Sequence, residues 1–213
     1  MSRHHFQLLK SLNEEFGEIH GEPIYKRFRR WQSVKSPEIS LAQQSYDAKW
    51  PQYFQQSVAE FARVLGSVQF SLEHIGSTSI RGMAAKPIID SMLILESEQD
   101  LDQVEKCLQK INYNDWGESP VHPGVRWWWS QSSSPIQRVV HVCVRGNAWS
   151  PAAINFRDYL RQFPDKRRQY MQQKRQLSES SESSVAIYSL KKAALLYRLN
   201  GEANAWRDDI NRS

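Results

Sequence analysis

Two cysteines in 213 residues, Cys107 and Cys143, are too few for a disulfide framework or a cysteine-ligated metal site. No apolar run approaches the roughly 20 residues that a membrane-spanning helix needs. The N-terminus offers Arg3, His4 and His5 but no apolar signal-peptide core, so the expectation is a cytoplasmic protein. Internal repeats are missing, and 178–184 is the one low-complexity tract. A Walker loop, a dinucleotide fingerprint and a Ser-His-Asp elbow are all lacking, so no signature of a P-loop NTPase, a dehydrogenase or a serine hydrolase is present.

What is present points to a packed globule. Hydrophobic residues make up 40% and charged residues 24%, with eight each of Trp, Tyr and Phe. That load argues for one generous domain, or one domain with an appendage, and against disorder. The net charge of +5 and pI of about 9.2 are compatible with anionic partners, nucleotides or nucleic acid, without identifying them. Basic residues are dispersed apart from 26–30 and 166–168. Such runs read more readily as solvated faces or phosphate contacts than as a duplex-binding patch, which makes nucleic acid the weaker partner.

Periodicity predicts a helix over 1–20 from Phe6, Leu8, Leu9, Leu12, Phe16 and Ile19, followed by a basic connector to residue 45. A second helix starts around Trp50-Pro51 and runs to Gly66. Residues 68–75 read as a strand, with Glu73 and Ile75 on one face and Leu72 and His74 on the other. Residues 78–85 read as an irregular crossover, and 88–95 as a strand buried on both faces. An amphipathic helix follows over 100–111, then strands over 125–130 and 137–144. Trp127, Trp128 and Trp129 cannot share one face of a strand, so two core rings and one cleft ring are expected. Helices over 152–163, 166–177 and 184–199 and a tail over 200–213 complete the chain. The order is that of an α+β fold, a small mixed sheet with helices grouped against it.

The stretch 73–90 carries the most chemistry. A Gly-Ser turn leaving a strand exposes backbone N–H groups that suit a phosphate, and an acid on the next strand could hold a cation against it. The plain alternative is a capped turn feeding another core strand. Asp90 lies in an otherwise apolar run, where an unpaired carboxylate is costly, so it either binds a cation or sits at an exposed strand end. Lys86 either pairs with Asp90 or reaches a substrate phosphate. Glu73 is either a second oxygen ligand or a hydrogen-bonded anchor, and His74 a partly buried core histidine. His141 suits a metal ligand or proton shuttle if it shares a sheet face with Asp90. Arg157 and Asp158, adjacent on a helix, are expected to divide between site and anchor. Lys174, Tyr188 and Lys192 could converge on an anionic ligand from the last helices.

Taken together, Tyr46-Asp47-x-x-Trp50-Pro51, Glu73-His74-Ile75-Gly76-Ser77-Thr78 and Ala84-Ala85-Lys86-Pro87-Ile88-Ile89-Asp90 resemble the GrpB family. His141-Val142, residues 156–161, Tyr170 with Lys174, and Tyr188 with Lys192 continue the match in order, over about 46–199. The family is grouped with the polymerase-β-like nucleotidyltransferase superfamily, and some members are joined to a dephospho-CoA kinase domain. The resemblance implies a nucleotidyltransferase-like domain at 46–199 behind an N-terminal extension, with a nucleotide-sized cleft. It further implies that Gly76, Ser77, Thr78, Lys86, Arg157, Lys174, Tyr188 and Lys192 hold phosphates. The resemblance does not establish a reaction; one reading has Asp90, with Glu73 or His141, hold Mg²⁺ for transfer of a nucleoside monophosphate from an NTP to a small acceptor. The alternative is a nucleotide-binding or interaction module whose catalytic site is degenerate. Three departures bear on the choice: Met92 stands where the superfamily has its second acid, Val139 where many relatives have a histidine, and Arg81 where the loop usually has proline.

Overall fold

The apolar run around Asp90 forms the strand on which the fold is built. A computed structural model describes residues 18–19, 22–23, 26–27, 42–132, 136–179 and 185–212. Short strands β1 (Glu18–Ile19) and β2 (Glu22–Pro23) pair antiparallel. The helix expected over 1–20 is thus replaced by extended chain at 18–19, and the rest of that prediction lies outside the described residues. Pro23 has no amide N–H to continue a helical ladder, and the chain folds back instead.

Helix α1 (Trp50–Leu65) leads to β3 (Phe70–Ile75), which pairs antiparallel with β4 (Ile88–Leu95). Helix α2 (Leu101–Lys110) then precedes β5 (Tyr113–Glu118), β6 (Arg126–Ser130) and β7 (Gln137–Val144). The five-stranded sheet has the order β3-β4-β7-β6-β5. Among the described strands only β4 and β7 pair in parallel, with Asp90 opposite Val139 and Met92 opposite His141. Helices α3 (Trp149–Gln162), α4 (Pro164–Glu179) and α5 (Val185–Arg212) close the chain. The fold is α+β, a small mixed sheet flanked by helices, as expected. The segment 200–212, predicted as a tail, continues the last helix, and its Ala203 is fully buried.

Strand β5 is the strand of the five-stranded sheet that sequence reading misses. Its Asn114, Asp115 and Gly117 are poor strand formers, and a register shift interrupts its pairing with β6 between Asp115 and Gly117.

Alternation assigns the two sheet faces. Leu93, Leu95, Val140, Val142 and Trp128 pack against Phe61 and Leu65 of α1 and Val104 and Leu108 of α2. On the other face, Ile75, Met92, Ile94 and Cys143 meet Trp127, Trp149 and Ile154. Each fully buried side chain of this size contributes about 1.5–3 kcal/mol through the hydrophobic effect. The prediction of two core tryptophans is corrected: Trp128 alone of the three is fully buried, while Trp127 stands on the opposite face beside His141. A third cluster joins Tyr159 and Leu160 of α3, Tyr170 of α4 and Leu195 and Leu199 of α5 to Ile80 and Met83 of the crossover. It ties the last three helices to the segment after Ser77. Among the described residues no helix is long and apolar enough to cross a membrane.

Candidate functional site

The chain leaves β3 at Gly76, whose φ of +69° favours glycine. A Cβ added there would lie 2.5 Å from Asp90 Oδ2, so glycine also permits the carboxylate to press against the turn. Ser77–Ser79 then forms a single 3₁₀ turn. The first amides of such a turn have no acceptor within it, which leaves them for other partners. Ser79 Oγ donates to the Gly76 carbonyl (2.6 Å), and Arg161 grips the Ser79 carbonyl through Nη2 (2.8 Å) and Nε (3.2 Å).

Ser77 is met from helix α4. Lys174 Nζ donates to Ser77 Oγ at 2.9 Å and to the Ala84 carbonyl at 3.1 Å, on a residue only 2% exposed. Tyr170 lies one helical turn earlier on the same face, and burial raises its hydroxyl well above the ordinary value, with Ser77 acting against that rise. Burial, reinforced by the charges of Lys192 and Lys86 and opposed by Asp90, pushes the Lys174 ammonium down to about 7. Lys86 is pushed down to about 8 by burial and by Lys192, again against the pull of Asp90. Lys174 therefore meets the Ser77 hydroxyl, and Lys86 and Lys192 act on Asp90 electrostatically.

Asp90 Oδ1 lies 3.3 Å from His141 Nε2, so the shared face anticipated for these two residues is realised. Burial alone would raise the Asp90 carboxyl. The His141 hydrogen bond and the charges of His141, Lys192 and Lys86 outweigh it and hold the group below its ordinary value. The other His141 nitrogen, Nδ1, is buried without a hydrogen-bond partner. Trp127 and Trp149 flank the ring at 5.4 Å each, and His122 stacks on Trp149 at 5.2 Å. Burial, with the charge of His141, lowers His122 to about 3. Sequence reading passes over His122 and Trp149, whose loop and helix-start positions carry no pattern, and takes Tyr170 into the family resemblance but not into the site. The four-residue spacing of Tyr170 and Lys174 is the signal that could have found that pair.

Other predicted ligands are committed elsewhere. Glu73 Oε2 accepts from Arg157 Nη1 at 2.7 Å, and stands opposite Met92 on β4, with Ile75 opposite Asp90. Arg157 also donates to the His74 carbonyl (3.0 Å) and to Asp158 Oδ1 (2.9 Å). The expected division between Arg157 and Asp158 is corrected: both belong to one anchoring network, which Arg207 joins through Asp158 Oδ2 at 3.0 Å. The Thr78 side chain is 1% exposed and turns inward. Its hydroxyl donates to the Ile88 carbonyl (2.9 Å) and so must accept from His74 Nε2 (3.1 Å), which fixes the His74 tautomer. His74 stacks on Phe54, and burial lowers it to about 4, so it is a neutral core histidine. Of the late-helix residues, Lys192 reaches the cluster electrostatically, while the Tyr188 side chain lies outside the described residues.

Magnesium asks for several hard oxygen donors in near-octahedral array. The site brings one carboxylate, already hydrogen-bonded to His141, with Lys86 and Lys192 acting on it electrostatically. Glu73 is held by Arg157, and position 92 is a fully buried methionine. Among the described residues no three His, Cys, Asp or Glu side chains stand together as metal ligands. These residues do not fit a magnesium centre.

Residues 40–201 match the family model described as GrpB protein. A UPF0157 protein of Halalkalibacterium halodurans is 30% identical over 178 residues, 81% of this chain and 87% of that one. The glutamate-rich protein GrpB of Alkalihalophilus pseudofirmus is 24% identical over 162 residues, 75% of this chain and 92% of its own. The crystal structure of conserved protein GrpB from Enterococcus faecalis superposes with a TM-score of 0.67 at 28% identity, covering 78% of this chain and 99% of that one. By sequence and by fold, the chain belongs to the GrpB family.

Proposed function

We propose that the cleft at Gly76–Ser77 binds the phosphate end of a nucleotide or another phosphorylated small molecule. Ser77, Lys174, Lys86 and Lys192 would hold its negative charge. The observation that carries this reading is the buried Lys174 ammonium, 2.9 Å from Ser77 Oγ, with two further lysines within electrostatic reach. Charged lysines are rarely buried without a paired anion. Lys174 is buried on a hydroxyl and a carbonyl, and an incoming phosphate would give its charge a partner. A thermal-shift screen of nucleotides and other phosphorylated metabolites, with and without Mg²⁺, tests it. A ligand at about a hundred times its Kd adds about 2.7 kcal/mol to stability, a shift of several degrees. Lys174→Met should remove that shift. If no phosphorylated compound moves the melting point, the reading is wrong.

The second reading is transfer of a nucleoside monophosphate to a small acceptor. It is favoured by the Asp90–His141 pair beside the lysines, a suitable acceptor for a hydroxyl proton. Incubation with each nucleoside triphosphate and mass analysis of the products tests it. Quantitative recovery of every triphosphate would leave the protein as a binding module.

A further inference from the structure

We infer that Ser77 and Lys174 form a nucleophile and general-base pair that takes the acyl group of a small activated ester. This goes beyond the phosphate-binding reading, which uses the ammonium form of the same lysine. The amine form carries the chemistry here.

An activated serine needs its hydroxyl within hydrogen-bond reach of a base, and a third group that orients the base. Ser77 Oγ lies 2.9 Å from Lys174 Nζ, and the Ala84 carbonyl holds that nitrogen at 3.1 Å. Lys174 is 2% exposed, whereas Ser77 is half-buried beside the exposed Gly76. The base is thus shielded from water while its partner stands on a surface turn. Other serines of the fold commit their protons to backbone carbonyls: Ser57 to Tyr53, Ser79 to Gly76 and Ser150 to Asn147. Ser77 faces an amine instead. Burial and the charges of Lys192 and Lys86, opposed by Asp90, bring Lys174 to about 7, so much of it is amine at neutral pH. The pair is separated by 97 residues, so no sequence motif marks it.

The Ser77 proton passes to Lys174 Nζ as Oγ bonds the ester carbonyl carbon. The bond from that carbon to the leaving alcohol breaks, and Lys174 Nζ returns the proton to the alcohol oxygen. Water then attacks the acyl-serine, gives a proton to Lys174 Nζ, and releases a carboxylic acid as Ser77 regains its own proton. A neutral carbonyl suits this pair better than an anionic phosphoryl group. Phosphoryl transfer depends on positive charge around the phosphate, and in its amine form Lys174 supplies none.

The full chain is mixed with p-nitrophenyl acetate, and the acetyl group is located by peptide mass analysis. The expected result is a burst of p-nitrophenolate with the acetyl group on Ser77, absent in Ser77→Ala. Lys174→Arg keeps the charge but cannot act as a base, so it should slow acylation roughly a hundredfold to ten-thousandfold. In the parent the burst rate should rise with pH through about 7 and level off, a profile that a merely structural hydrogen bond does not give. An acetyl group on Lys174 in place of Ser77, or an unchanged rate in Lys174→Arg, overturns the assignment. Absence of any burst also overturns it, and leaves the phosphate-binding reading standing. Should the variants fail to fold, the acetylated position and the pH profile of the parent decide.

Discussion

Gly76 and Asp90 are in such close contact that a single added carbon on Gly76 would sit 2.5 Å from the carboxylate oxygen. Gly76→Ala therefore meets both a clash and a left-handed φ of +69°. It should destabilise the protein by about 1–3 kcal/mol, measured by urea denaturation. Adding Asp90→Ala should recover part of that loss, because it removes the carboxylate contacts and leaves the tight 3.0 Å approach to Cβ and the backbone strain. A double variant no better than Gly76→Ala would show that the clash contributes nothing.

Arg157 joins β3 to α3 through Glu73 and the His74 carbonyl, so its loss should act on stability and not on ligand affinity. Arg157→Met leaves Glu73, which is partly exposed, and the His74 carbonyl without this partner, at a cost of about 1–3 kcal/mol. Chemical denaturation gives the first quantity and calorimetry with pyrophosphate the second. A stable variant with lost affinity would restore Arg157 to the list of ligand contacts.

Thr78 serves two buried partners with one hydroxyl. Thr78→Val keeps the shape but leaves His74 Nε2 and the Ile88 carbonyl unsatisfied, costing about 1–3 kcal/mol. Thr78→Ser should retain most of the stability. Equal denaturation midpoints for the valine and serine variants would contradict this role.

Acid should destabilise the protein through its histidines. His74 is lowered to about 4 and His122 to about 3, both by burial, from an unfolded value near 6.5. Between those values the unfolded chain binds more protons than the folded one, so stability falls as pH drops from 6.5 towards 4. For His74 the full effect is about 3 kcal/mol. Urea midpoints across this range should fall in the parent and fall less in His74→Gln, once its lower starting stability is subtracted.

Lys174 supplies a trend of opposite sign for ligand and fold. Its folded value of about 7 lies below its ordinary 10.5, so the unliganded protein gains stability as pH rises through 7 to 10.5. Anion affinity moves the other way, since the ammonium that meets the ligand is lost over the same range. Sulfate keeps its charge throughout, so its melting-point shift should shrink from pH 6.5 to 8.5 in the parent. Lys174→Met should show a small shift with no such slope.

Much of the scaffold is readable from pattern alone. The unbroken apolar run at 88–95 and the alternation at 137–144 give strands with the bounds the structure has. Helical spacing likewise finds the helices that flank them. Strand β5 escaped because its residues are poor strand formers held in place by tertiary pairing. At the site, Gly76, Ser77, Asp90 and Lys174 are legible as candidates, but their roles are not. Whether Glu73 faces a ligand or Arg157 depends on a partner 84 residues away. Thr78 turns inward because β3 and β4 offer it two buried partners, a fact of packing that no local motif encodes.

The cleft draws its members from distant parts of the chain: Lys174 meets Ser77 across 97 residues, and Asp90 meets His141 across 51. Contacts so far apart in sequence form late, because closing long loops costs entropy before any contact repays it. A chain emerging from the ribosome holds its Gly-Ser turn and aspartate long before the helix bearing Lys174 exists. The lysines therefore come together only as the last helices dock, and the phosphate site proposed for them would arise with completion of the fold.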